Sequence, residues 1–183
     1  LSEKEDQQIP QGGIEGFLDF AAEIEREAVE KNPDLVGFLS EIDDAFKPLL
    51  FQGKLKAPYL PALLMMNSYA SFLGAVRTAL SGQSPPVFMI LRGSLESAAY
   101  ALLAREEANA KAYYERDKNK AVCQKAFTMG NTVIILKEID PNLGKFFKEH
   151  YEAQIDFGAH PNTKSIIHHV SLRERHDGMR EYH

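Results

Sequence analysis

Three times in 183 residues a short polar side chain stands immediately before proline at the edge of an apolar, helix-like stretch: Asn32-Pro33, Ser84-Pro85 and Asp140-Pro141. In such a pair the polar side chain can accept a free amide hydrogen of a helix's first turn. Proline loses nothing at that point, because its missing amide would have had no partner there and its φ is already helical. Each pair therefore predicts a helix start, and together they set the frame into which the rest of the chain must fit.

The apolar spacing between these marks is helical throughout. Ile14, Phe17, Leu18, Ala21, Ile24 and Ala28 recur over an acidic opposite face. After Pro33 the series Leu35, Phe38, Leu39, Ile42, Ala45, Phe46 and Leu49 continues the period until Pro48 and the polar stretch Gln52–Lys56 are expected to stop it. A third helix is expected from Tyr59 to Leu80, about 33 Å long at 1.5 Å per residue, closed by Ser81-Gly82. The fourth runs from Pro85 to about Arg105 with almost no polar face, which makes helices three and four central. A short helix over Asn109–Arg116, a pattern from Lys120 to Ile139 broken at Gly130-Asn131, and a last helix from Pro141 to a stop at Gly158 complete the set. Twenty Ala, 19 Leu and 17 Glu against 7 Val and 4 Thr agree with this period. The expectation is one all-α domain, a bundle of five to seven helices over residues 13–162. It is preceded by a disordered N-terminal segment, 1–12, and followed by a C-terminal extension, 163–183, that reads as irregular or as short strand.

Charge and cysteine usage exclude more than they identify. Net charge is −5, and residues 1–50 hold 13 acids against 4 bases, so unspecific nucleic-acid binding is not expected. The 8 bases and 4 acids between Lys111 and Lys148 read as a solvated helix face. A lone cysteine, Cys123, reads as a packed thiol and asks for no oxidising compartment. With an opening of LSEKEDQQIP that is not a signal peptide, a cytoplasmic protein is expected. The uncharged stretch Ala57–Val76 has a membrane span's length. Its prolines, Asn67, serines and one-sided apolar period read instead as a buried bundle helix, and no membrane partner is expected. There is no glycine-rich phosphate loop and no nucleophile elbow.

Two charges interrupt the apolar run from Pro85 to Ala104, Arg92 and Glu96. Four residues apart, they share one helix face with Phe88, Leu95, Ala99 and Leu103, where an unpaired charge would cost several kcal/mol. Either they pair with each other and tie down a neighbouring helix, or they line a cleft in which the guanidinium forks onto a carboxylate or phosphate. Ser94, Ser97 and Tyr100 are near enough in sequence to add hydroxyls. All six histidines fall in the last 34 residues. That clustering, with Glu149, Glu152 and Asp156 nearby, raises a metal-dependent enzyme as a further alternative, although no paired-ligand signature is present and no metal or cofactor is assigned. His160, in Asp156-Phe-Gly-Ala-His160-Pro161-Asn162, stands just past a helix C-terminus, where non-helical backbone can present polar groups.

The segments LRGSLESAAYALL (91–103) and IDFGAHPN (155–162) resemble uncharacterised bacterial proteins with helical bundles of the HEPN type, over about residues 58–165. HEPN ribonucleases carry an arginine, four to six residues, then a histidine. No arginine of this chain has a histidine at that distance, so what the resemblance implies is the bundle, a dimeric assembly and a nucleotide or nucleic-acid partner. The expected site is accordingly an anion, nucleotide or small-ligand pocket in which Arg92 anchors the anion, Glu96 orients Arg92 and His160 donates a hydrogen bond, with Tyr100, Asp156 and Asn162 around them. Arg92 and Glu96 are expected to face His160 and Asn162 across the packing of the last helix. The alternative is a non-catalytic module that dimerises through an apolar helix face.

Overall fold

A computed structural model describes residues 13–51, 59–159, 172–174 and 180–182 of the chain, and these are all-α apart from one short hairpin. The helices are α1 (Gly13–Lys31), α2 (Pro33–Phe51), α3 (Tyr59–Leu80), α4 (Ser84–Leu103), α5 (Glu107–Tyr114), α6 (Lys120–Ala126), α7 (Met129–Ile139) and α8 (Pro141–Gln154), the last continuing into a π-helical turn over Ile155–Ala159. Two three-residue strands, Leu172–Glu174 and Arg180–Tyr182, pair antiparallel with Leu172 opposite Tyr182. Residues 1–12, His160 and Asn162 lie outside the described residues.

α3 and α4 form an antiparallel hairpin that is the most extensive helix pair of the molecule. Its turn is a Schellman motif: Gln83 N–H donates to the Thr78 carbonyl (3.1 Å) and Gly82 N–H to that of Ala79 (3.0 Å). Gly82 sits at φ +80°, a conformation that disfavours any side chain. Midway along the hairpin, small polar side chains from the two helices meet. Ser94 Oγ donates to the Ser68 carbonyl (2.8 Å), the two serine hydroxyls lie 3.2 Å apart, and Asn67 Nδ2 donates to Ser97 Oγ (2.7 Å). α1 and α2 pack on the outer side of α3, where Phe46 stacks on Phe72 and the Tyr69 hydroxyl donates to Asp43 (2.6 Å).

The core closes at the other end of the hairpin. Leu60 and Leu64 of α3 meet Ala101 and Leu103 of α4 together with Cys123 and Phe127. Leu103 is 1% exposed, a burial that stabilises by roughly 1.5–3 kcal/mol, and Cys123 is packed as expected.

Several boundaries differ from the sequence reading. Pro48 does not stop α2, which runs through it to Phe51. Asn32 precedes α2, and its carbonyl accepts from Val36. Its side chain turns back, however, to donate to the Ala28 carbonyl (2.9 Å), closing α1 rather than opening α2. α4 begins one residue before Pro85, with Gln83 in the cap position and no cap bond from its side chain. Asp140 behaves as expected: its carboxylate accepts from Asn142 N–H (2.8 Å).

The 120–139 segment is two helices, so the described chain has eight where the sequence reading reached seven. The break falls at Phe127–Thr128 instead of Gly130-Asn131. Thr128 Oγ1 accepts from Asn131 N–H, and Asn131 Nδ2 donates to the carbonyls of Lys125 and Ala126, so one asparagine closes α6 from within α7. Gly158 is not a helix stop but a contact: a Cβ there would lie 2.4 Å from Phe88 Cβ, so the π-helical turn meets α4 at backbone distance. Gly144 brings α8 onto α7 in the same way, 2.4 Å from Lys137 Cγ. By length and apolarity α3 passes as a candidate membrane span, although a third of its most apolar window is buried in the bundle.

Candidate functional site

α4 carries Arg92 and Glu96 on the face that meets α8, and the late-chain group that answers them is Tyr151. Arg92 Nε donates to Glu96 Oε1 (2.9 Å), Arg92 Nη2 donates to the Tyr151 hydroxyl (3.2 Å), and that hydroxyl donates to the same Glu96 oxygen (2.8 Å). The guanidinium carbon also lies 5.2 Å from the centre of the Tyr151 ring, within cation–π range. Three groups thus close a small ring of hydrogen bonds across the α4–α8 seam.

The ring is not sealed. The side chains of Arg92 and Glu96 are 30% and 32% exposed. A guanidinium has five N–H donors, of which two are used here, leaving three without an acceptor among the described residues. Glu96 Oε2 likewise accepts nothing among them. The hydrogen bond and charge of Glu96 overcome burial, which alone would lower the pKa of Arg92, and hold the guanidinium firmly charged. Burial, then the bond to Glu96, pushes the Tyr151 phenol above its ordinary value. A guanidinium pinned as a cation and a phenol that holds its proton are suited to gripping an anion, not to shuttling protons.

Beside this ring lies a cavity of about 210 Å³ between three helices. Leu95, Ala98, Ala99 and Leu102 form its α4 wall, Thr132 and Leu136 its α7 wall, and Leu143, Phe146, Phe147 and His150 its α8 wall. α4 and α8 run antiparallel here, so the wall from Leu102 to Leu95 leads directly toward Arg92, one helical turn further on. Phe147 stacks on Tyr151 with ring centres 6.3 Å apart and joins the cavity to the ion pair. Thr132 Oγ1 is turned into the Thr128 carbonyl (3.2 Å), so the interior is apolar, and the His150 ring rests on Phe146 at 4.0 Å near the solvent side.

The other expected site residues fall as follows. Tyr100 is one turn beyond Glu96, and its ring packs edge-on against Phe127 (5.1 Å). Burial, helped by the Glu96 charge, raises its pKa. Asp156 lies exposed in the π-helical turn. His160 and Asn162 lie outside the described residues. Ser94 and Ser97, which stand near enough in sequence to add hydroxyls, bond to Ser68 and Asn67 of α3 instead. Among the described residues no three His, Cys, Asp or Glu side chains converge as metal ligands would. Tyr151 and His150 were missed as site residues. The signal for Tyr151 was its place on the apolar stripe of the last helix, because a tyrosine buried there needs a partner for its hydroxyl. Gln154, one turn past Tyr151, has a buried Oε1 without a partner among the described residues, which costs about 1–3 kcal/mol if it stays so.

No family model matches the chain, and no curated protein or solved structure is similar enough to count as a relative.

Proposed function

We propose that this protein binds a small anionic ligand at the α4–α8 seam, with Arg92 as the anchor, Glu96 and Tyr151 fixing the plane of its guanidinium, and the adjoining cavity receiving the rest of the ligand. The observation that carries the reading is that, among the described residues, Arg92 keeps three unused donors and part of its surface open to solvent while two neighbours already hold it in place. Preorganisation of this kind lowers the ordering cost of binding. A clasp with no role but stability would be expected to use the donors or cover them. Turnover is not part of the reading: burial and the bond to Glu96 make the Tyr151 phenol hold its proton more tightly rather than release it to that carboxylate.

A thermal-shift screen with carboxylates and phosphates on the wild type, Arg92→Lys and Arg92→Ala tests it. At least one anion should stabilise the wild type, Arg92→Lys less because a point charge replaces a fork, and Arg92→Ala not at all. If every anion shifts all three proteins equally, the ring is a structural clasp and the reading fails.

A second reading, a module that dimerises through α3, is favoured by a separate observation. Tyr59, Leu63, Met66, Ala70 and Leu73 are exposed at alternating four- and three-residue steps, the spacing of a coiled-coil seam, with Leu63, Met66 and Leu73 41–51% exposed. They present apolar surface on the order of 400 Å², about half of the ~800 Å² per partner in a standard interface. Antiparallel pairing with a second copy about Ala70 would set Met66 against Gly74, large against small. Elution of wild type as a dimer and of Met66→Glu as a monomer supports this pairing; a monomeric wild type across the micromolar range ends it.

A further inference from the structure

We infer that the ligand of this site is a monocarboxylate with an apolar tail, such as a medium-chain acyl acid, rather than a nucleotide or another polyphosphate; the inference rests on the anion-binding reading above. Charge argues first. Arg92 is the cation of the ring and Glu96, bonded to it at 2.9 Å, cancels most of its field, so the site suits one negative charge and opposes two or more. A planar carboxylate matches the remaining edge of the guanidinium, which offers parallel N–H donors.

The cavity argues second. Of its lining only Thr132 and His150 carry polar side-chain groups; the hydroxyl of Thr132 is already bonded to Thr128 and His150 stands at the exposed mouth against Phe146, so the depth of the cavity offers a base or ribose no free partner. Burying such polar edges without partners would cost more than their stacking returns. An apolar chain meets no such penalty. At 210 Å³ the space exceeds the ~150 Å³ of an engineered cavity known to take up benzene. On the ~30 Å³ that one water occupies in the liquid, it holds about seven methylene-sized groups. The α4 wall from Leu95 to Leu102 is about 10 Å long at 1.5 Å per residue, long enough to lie along such a chain. The head at Arg92 and the tail toward Leu102 and Leu143 would place the ligand along the seam.

The test measures melting temperatures of the full chain with octanoate, butyrate, octanol, inorganic phosphate and AMP, for the wild type, Arg92→Ala and Ala98→Phe. Ala98→Phe fills the cavity and leaves the ion pair intact. Octanoate should stabilise the wild type by several degrees at saturating concentration, butyrate by much less, and octanol, phosphate and AMP little. The octanoate shift should vanish in Arg92→Ala and in Ala98→Phe. If phosphate or AMP stabilises the wild type as well as octanoate does, and through Arg92, the anion site stands and the ligand class falls. Should octanol equal octanoate, the cavity binds apolar matter without the anchor, and the class falls again. No Arg92-dependent shift with any probe overturns this inference together with the reading it rests on.

Discussion

α4 turns one face to α3 and another to α8, and the two are built on opposite plans. Toward α3 the polar side chains, Ser94 and Ser97, are small and are consumed by Ser68 and Asn67 at hydrogen-bonding distance. Toward α8 the polar groups are charged, partly exposed and only partly satisfied, and a cavity lies beside them. One seam spends its hydrogen bonds on holding two helices together; the other keeps donors in reserve. On a single helix, therefore, the presence of polar residues does not distinguish structure from site, but the share of their bonding capacity left over does.

The sharpest way to break this contrast is to enlarge one residue on each face. Ser94→Leu should destabilise by about 2–3 kcal/mol, because the α3 seam has no room and the Ser68 groups lose their partner. Ala98→Leu, four residues on, should leave stability unchanged or raise it by about 0.5–2 kcal/mol by filling space. Chemical denaturation of both measures the difference, and equal losses would mean that the cavity is already occupied by packing. Next in size, Gly158→Ala should cost about 1–3 kcal/mol, since its Cβ would fall 2.4 Å from Phe88.

Glu96→Gln probes the half-open ring and should cost only about 0.5–1 kcal/mol, as partly exposed pairs do. A double-mutant cycle with Tyr151→Phe should show the two losses to be non-additive, because the Tyr151 hydroxyl bonds directly to the Glu96 carboxylate. The smallest effect is a slope. With the Tyr151 pKa raised in the folded state, the unfolded chain releases its proton first as pH climbs past about 10, so the folded state binds more protons and stability falls. Tyr69 and Tyr100 shift the same way, so the decisive quantity is the difference between the wild type and Tyr151→Phe, whose alkaline decline should be shallower.

The sequence reading reached the α4 side of the site because two charges in an apolar run are conspicuous in one dimension. It reached the α8 side only as a region, because which residue meets Arg92 depends on how two helices cross. Tyr151 stands on the apolar stripe of the last helix with Leu143, Phe146 and Phe147, and nothing in one dimension distinguishes its hydroxyl's task from its ring's. Ser94, two residues on from Arg92, lies about 200° round the helix and so on the far face, which the helical period alone shows. The cavity was beyond reach, since it is a difference between the side-chain volumes of three helices. The α6–α7 break shows the same limit on a smaller scale, because Asn131 bonds backward into α6 and a glycine beside it draws the eye to the wrong residue.

Asp140 both ends α7, through its amide on the Leu136 carbonyl, and begins α8, through its carboxylate on Asn142. No slack exists at this corner to absorb a change of length. One inserted residue would swing α8 about 100° on its axis and carry the tyrosine away from the arginine. This junction should therefore tolerate substitution at its exposed positions far better than any insertion or deletion, and a permuted or grafted version of the domain must keep it whole.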